Sequence, residues 1–364
     1  MAAIMDLLLA PTSSMQDNVT TLSTVICLCR GVICLVGVIG NSVTIRTFVA
    51  MGLKDGVTLS FLFLSVCDLF FLIFEGAASV SCAFECVELN TNYKTYFPVD
   101  PYSVDFYLLL CASEFYHCAM ITMIFLAIAR CLSVATPMWF RNKIGKKSTF
   151  FVSISTTAPF VVAIEIPTFA FMGIIPQHDK NINTTRPSFW TSPTWHLMTN
   201  VIWTITGMFL NYIVQIILLI SAITMKIVLT KAVKFRQQHT LLCDAGGSFT
   251  THTNNSNGTN NVTQTQNKLQ LTSKEIRITQ QLFVLSLAYI ISNTPRVCFH
   301  TPLLVYPELS IFGKHGRLFE AIDVIVHTCQ CVFCCGNVLI YLKFNSRFRE
   351  LFLKNLTLLQ NDNA

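Results

Sequence analysis

The chain has 364 residues, of which 52% are hydrophobic and only 12% charged, with a mean hydropathy of +0.55. A water-soluble domain with that much apolar side chain would aggregate, so the composition excludes soluble classes and points to one polytopic membrane domain. The net charge of +6 sits in the connecting segments and gives no support for nucleic-acid binding.

In chain order, residues 1–21 lack a basic start, and Asp6 adjoins only a very short apolar run, so no cleavable signal is expected and the first span serves as its own insertion signal. Asn18-Val19-Thr20 in this segment is a glycosylation sequon. Seven apolar stretches follow, near 22–50, 57–83, 104–136, 149–175, 197–230, 276–306 and 317–342. Each is long enough to cross a hydrocarbon core of about 30 Å as a helix rising about 1.5 Å per residue, with its backbone groups bonded internally. The expected fold class is therefore all-α: a seven-transmembrane helix bundle over residues 22–342.

The connections alternate in charge. Those on one side hold Lys54, Arg141, Lys143, Lys146, Lys147, Lys226, Lys231, Lys234, Arg236, Lys268, Lys274, Arg277, Lys343, Arg347, Arg349 and Lys354, whereas the other side has Lys94, Lys180, Arg186, Lys314 and Arg317. The positive-inside bias places the N-terminus outside the cell and residues 343–364 in the cytosol. A second sequon, Asn183-Thr184-Thr185, then falls outside. Residues 237–272, rich in Asn, Thr and Gln, cannot bury enough apolar surface to offset their ordering entropy, and read as a disordered third intracellular loop. Sequons at Asn254, Asn257 and Asn261 are chance matches in that tract.

A charge at mid-membrane is costly unless it faces the bundle interior, so polar residues within the spans mark where function should lie. On the last span Glu320, Asp323, His327, Gln330, Cys334, Asn337 and Tyr341 recur at three- and four-residue steps and share one inward face. On the second, Asp68, Glu75 and Cys82 are seven apart; on the sixth, Asn293, Arg296 and His300 flank Pro295, which removes a backbone donor and opens room at its depth. These stripes outline an outward-opening polar cavity, with Arg30 of the first span a further candidate. Arg296, Glu75, Asp323, His327, His300 and Arg30 are the candidate ligand-binding residues. The alternative is that the charges pair to hold the bundle, Arg296 with Asp323 or Glu75. Glu114, His117 and Glu165 read as hydrogen-bonded packing groups.

Several motifs in this order resemble those of rhodopsin-like (class A) G-protein-coupled receptors, over essentially all seven helices. Gly40-Asn41 matches the first-helix motif, and Leu64-Ser65-Val66-Cys67-Asp68 the second, with Asp68 as the inward acid. Ala129-Arg130-Cys131 followed by Pro137 sits where the family has Asp-Arg-Tyr. Tyr289 to Pro295 has the spacing of Phe-x-x-Cys-Trp-x-Pro, and Asn337 to Tyr341 that of Asn-Pro-x-x-Tyr, with Phe348 leading into a short amphipathic eighth helix. The resemblance implies an extracellular ligand that shifts the bundle toward a state binding a heterotrimeric G protein. It implies that Arg130 pairs with Glu275 in the resting state, and that Asn41, Asp68, Asn293, Pro295, Asn337 and Tyr341 take part in activation.

The chain also departs from the family. Ala129 replaces the acid beside the arginine, Asn293 stands where many members place Trp, and Val338 replaces the seventh-helix Pro. Ala119 and Phe333 replace polar sodium ligands, so no metal site is expected at Asp68. The segment from Phe171 to Thr199 contains no Cys, so the family's bridge from the third helix to the second outer loop cannot form. Among the fifteen cysteines, Cys82 and Cys86 are candidates to pair with Cys111 or Cys298. Cys331 occupies the retinal-lysine position and Ala112 that of the aminergic Asp, so no cofactor is expected and a simple monoamine loses its counter-ion.

Met51 to Leu62, Ala129 to Pro137 and Val326 to Cys331 look like segments of molluscan chemosensory receptors, and invertebrate neuropeptide receptors share the general pattern; a small polar chemosensory ligand is the favoured expectation, a neuropeptide the alternative. A transporter or channel is the rival from another class, although the two halves show no internal repeat. The chain carries no His-Glu-x-x-His, Gly-x-Ser-x-Gly or phosphate-loop motif, so an enzyme is not expected.

Overall fold

The computed structural model describes residues 13–53, 56–135, 148–194, 201, 204–245, 273–306, 308 and 314–361. Long helices dominate: α1 (Ser13–Met51), α2 (Gly56–Asn90), α3 (Pro101–Ala135), α4 (Ser148–Phe160), α5 (Asn211–Ala245), α6 (Ser273–Val305), α7 (Gly316–Phe344) and α8 (Ser346–Asn361). Six of them are long and apolar enough to cross a membrane. The shorter α4 continues through a π-helical turn, Val161–Glu165, into a last helical turn, Ile166–Ala170, which completes the seventh apolar rod. The protein is a multi-pass membrane protein.

Local chemistry sets the helix ends. Gly52 adopts φ 86° just past α1 and returns its N–H to the Val49 carbonyl, a left-handed stop that glycine adopts without a Cβ clash. Asp100 caps α3: its carboxylate accepts from the Ser103 N–H at 3.2 Å and from the Ser103 hydroxyl, with Pro101 in the first helical position. Asn345 ends α7 and begins α8, donating its N–H to the Tyr341 carbonyl and accepting from the Phe348 N–H at 3.0 Å.

Two boundaries differ from the sequence reading. The fourth apolar run extends to 175, but the helix stops at Ala170 and β1 (Met172–Asp179) pairs antiparallel with β2 (Thr184–Thr191). Gly173 and Pro176 disfavour helix there, while the strand ladder satisfies the backbone. The polar loop begins at 237 by composition, but α5 runs on to Ala245; residues 246–272 lie outside the described residues, as does Pro137.

The bundle buries its polar residues beside an apolar core and turns an apolar face outward. On α7, His327, Gln330, Cys334, Asn337 and Tyr341 are buried, whereas Ile325, Val332 and Leu339, seven apart, are exposed on the opposite face. Ile216, Ile220, Ile223 and Ile227 form a similar outer stripe on α5. Near Gly37, where an added Cβ would sit 2.7 Å from Leu72, α1 approaches α2 closely. Phe48, Phe61, Tyr341 and Phe348 close the α8 end in one aromatic cluster, its ring centroids 4.9–6.2 Å apart.

Candidate ligand cavity

Between α3, α6 and α7, toward the end that carries the hairpin, lies a cavity of about 150 Å³. Four of the six expected ligand residues line it: Arg296, His300, Asp323 and His327. Arg296 is 8% exposed and lies over the Tyr116 ring at 5.5 Å. Its Nε and Nη1 have no hydrogen-bond partner, and among the described residues it makes no ion pair.

Glu75 and Arg30 are not cavity-lining. Both are fully buried behind the wall, where Arg30 Nη1 lies 3.3 Å from Glu75 Oε2 and donates through Nε to Ser79 Oγ at 2.9 Å. Glu75 Oε1 meets His327 Nδ1 at 2.5 Å, and His327 Nε2 lies 3.6 Å from Asp323. The alternative pairing of Arg296 with Glu75 or Asp323 is not what forms: Arg30 and His327 take those acids. Helix order is the reason, because α1 packs between α2 and α7, and the bases of α1 and α7 reach the depth of Glu75. His327 links the cavity wall to this buried chain.

The sequence reading missed other walls. Tyr102, Asp105, Ser113, Glu114 and His117 of α3 face the cavity, Glu114 and His117 included, although their reading was as packing groups. Their three- and four-residue spacing was the available signal. The Glu165 side chain lies outside the described residues. Below the cavity, Asn293 accepts from the Tyr116 hydroxyl at 3.2 Å and donates to Gln215 at 3.4 Å, while Gln215 donates to the Ile290 carbonyl at 3.1 Å. Asn293 therefore ties α3, α5 and α6 by polar bonds. Pro295 lies within α6, as does Pro302.

Deeper still, Asn337 donates to Asp68 at 2.7 Å, and Asn41 donates to the carbonyls of Gly37 and Cys334 at 3.0 and 3.2 Å. Tyr341 is fully buried in the aromatic cluster. At the α8 end a larger cavity of about 610 Å³ is bordered by Phe61, Arg277, Gln281, Asn345 and Arg347. Arg130 is half-buried on the last turns of α3, and Glu275 is exposed in the first turn of α6, where the helix dipole favours an acid.

At the hairpin end an ionic clasp holds the loop. Arg186 of β2, 5% exposed, contacts Glu88 of α2 at 2.7 Å, Asp100 at 3.1 Å and Asp179 of β1 at 2.7 Å. Burial lowers the Arg186 pKa, but the bond to Glu88 and the charges of Glu88, Asp100 and Asp179 hold it above the ordinary value. Burial, then Asp179 and Glu88, raises the nearby Tyr93 phenol. Backbone bonds reinforce the clasp: Asp100 N–H donates to the Pro187 carbonyl at 3.0 Å, and Phe189 N–H to Ser103 Oγ at 2.7 Å. Beside it lies a chamber of about 400 Å³, lined by Glu85, Asp100, Asp179, Arg186 and Glu320.

The described cysteines are free thiols. Cys82 lies 2.7 Å from Cys27 of α1, Cys86 lies 3.0 Å from Thr24, and Cys331 is buried 3.6 Å from Cys34. The expected partners Cys111 and Cys298 are corrected accordingly, since the second helix packs its cysteine face on α1. Asn183 is exposed at the hairpin turn with φ 51°; the Asn18 side chain lies outside the described residues.

Among solved structures, the crystal structure of squid rhodopsin matches over 93% of this chain and 87% of its own, with a TM-score of 0.56 and 14% identity. The chain has a rhodopsin-like fold. At that identity the likeness concerns the path of the backbone, and the rhodopsin-like arrangement is what brings α3, α6 and α7 around the cavity. No protein-family model matches the chain, and no curated protein matches it.

Proposed function

We propose that this protein is a plasma-membrane receptor that binds a small polar extracellular cue and activates a heterotrimeric G protein. The observation that carries the reading is the buried guanidinium of Arg296, without an ion pair among the described residues and facing a cavity, in a rhodopsin-like bundle. A buried charge without a partner costs several kcal/mol, and a ligand acceptor offsets that cost. His327 and the Asn293 bonds connect the cavity to α2, α3 and α5, so a ligand that favours one arrangement of these contacts shifts the populations of the bundle.

The N-terminus and hairpin face outside, with glycans at Asn18 and Asn183, and α8 lies at the cytosolic face. Arg130 and Glu275 restrain the cytosolic ends of α3 and α6 in the resting state. The resemblance to molluscan chemosensory receptors supports a small cue. The test is a screen of amino acids, small carboxylates and amidated peptides on cells expressing the full chain with a promiscuous G-protein reporter. A ligand-evoked second-messenger signal is expected; ion or solute flux without nucleotide exchange would establish the transporter or channel reading instead.

A further inference from the structure

The inner cavity and the outer chamber share two walls, Tyr102 and Glu320, and so adjoin. Both carry acids, Asp105, Glu114 and Asp323 in the inner cavity and Glu85, Asp100 and Asp179 in the outer chamber, but each holds one arginine in a different state. In the inner cavity Asp105 has Arg30 at 3.9 Å and Asp323 has His327 at 3.6 Å, while Arg296 keeps two nitrogens without a hydrogen-bond partner. Asp105 Oδ1 also lacks a hydrogen-bond partner but keeps the Arg30 guanidinium beside it, whereas Arg296 has unmet donors and no ion pair among the described residues. In the outer chamber Arg186 is already shared among Glu88, Asp100 and Asp179, and Glu85 makes no ion pair among the described residues. Acid is in excess there.

We infer that the ligand is an extended zwitterion, held with its carboxylate inward on Arg296 and its cationic group outward in the chamber of Glu85, Asp100 and Asp179. The inference rests on the receptor reading of the inner cavity and adds to it the polarity and the length of the ligand. A guanidinium matches a carboxylate through two parallel donors. Acids around the outer mouth draw the cationic end and repel the carboxylate, so the orientation is selected before contact is complete. A ligand with adjacent charges, such as an α-amino acid, cannot satisfy both chambers at once.

The test uses the purified full chain in lipid nanodiscs and a series of linear ω-amino carboxylic acids from two to eight carbons, with matching alkyl carboxylates and alkylamines. Binding is read as the shift in melting temperature against concentration. Stabilisation is expected to rise with chain length to an optimum, and singly charged analogues of that length are expected to bind roughly 10- to 100-fold more weakly, since a hydrogen bond to a charged group contributes about 1.5–3 kcal/mol. Glu85→Gln should weaken only compounds that carry the amine, and Arg296→Lys only those that carry the carboxylate. Equal binding by the alkyl carboxylates, no dependence on length, or no shift with any compound in the series overturns the inference. The same series in a G-protein nucleotide-exchange assay separates the two ideas: binding without exchange refutes the receptor reading and leaves the ligand class standing. Exchange evoked by an unrelated ligand, unaffected by both substitutions, does the reverse.

Discussion

Arg296 and Arg30 show how one residue type takes opposite roles inside one bundle. Arg30 is fully buried and meets Glu75, so its charge is compensated; Arg296 faces the cavity with two nitrogens unbonded. Removing Arg296 should therefore spare the fold and abolish ligand response: Arg296→Ala is expected to lower agonist potency about 10- to 100-fold or more at unchanged surface expression, measured by dose response and surface labelling. Unchanged potency would return Arg296 to a packing role. Removing Arg30 should do the reverse, because it strands Glu75 without its cation. Arg30→Ala is expected to cost about 3–5 kcal/mol, and Arg30→Met with Glu75→Leu markedly less than Arg30→Ala; melting of the purified variants decides this, and additive losses would remove the pair. The periodicity of α7 and α6 made the inward faces legible in sequence. Which acid meets which base was not, since Glu75 and Arg30 are 45 positions apart (75 − 30) and Glu75 and His327 lie 252 apart.

At the scale of elements, the hairpin is held by charge and backbone bonds rather than by sulfur. Arg186→Ala should leave three acids, Glu88, Asp100 and Asp179, facing one another, and is expected to speed hydrogen exchange across Met172–Thr191 and to lower ligand affinity. Glu88→Gln with the wild-type arginine should have a smaller effect, because two acids remain; protection unaltered in Arg186→Ala would dismiss the clasp. At the other end, Glu275→Ala is expected to raise basal G-protein signalling several-fold by freeing Arg130, read by a reporter without ligand. A silent variant with a normal agonist response would count against that restraint. The absent loop cysteine was visible in the sequence, whereas its replacement was not. Arg186 looks like one more exposed loop charge until β2 turns it under the hairpin.

The whole molecule is a bundle whose exposed face is apolar and whose interior holds buried charges beside an apolar core. Its orientation is open to direct measurement. Accessibility labelling of intact cells is expected to reach the N-terminus and the hairpin turn at Asn183, and to reach α8 only after permeabilisation; both chain ends on one side would end the receptor proposal. Removing the sequon hydroxyl, Thr185→Ala, should abolish the share of glycan carried at Asn183, seen as a mobility shift.

Span number, helix type and the inward stripes followed from the sequence by itself, because a bilayer admits little besides a helix of sufficient apolar length, and expels polar side chains from its lipid-facing surface. The conversion of 172–175 from helix to strand, the partners of Glu75, the α3 wall of the cavity and the burial of Arg186 were decided by tertiary structure alone. Each depends on which helices neighbour one another and at what depth, and periodicity along one helix carries no information about the residue that faces it from another.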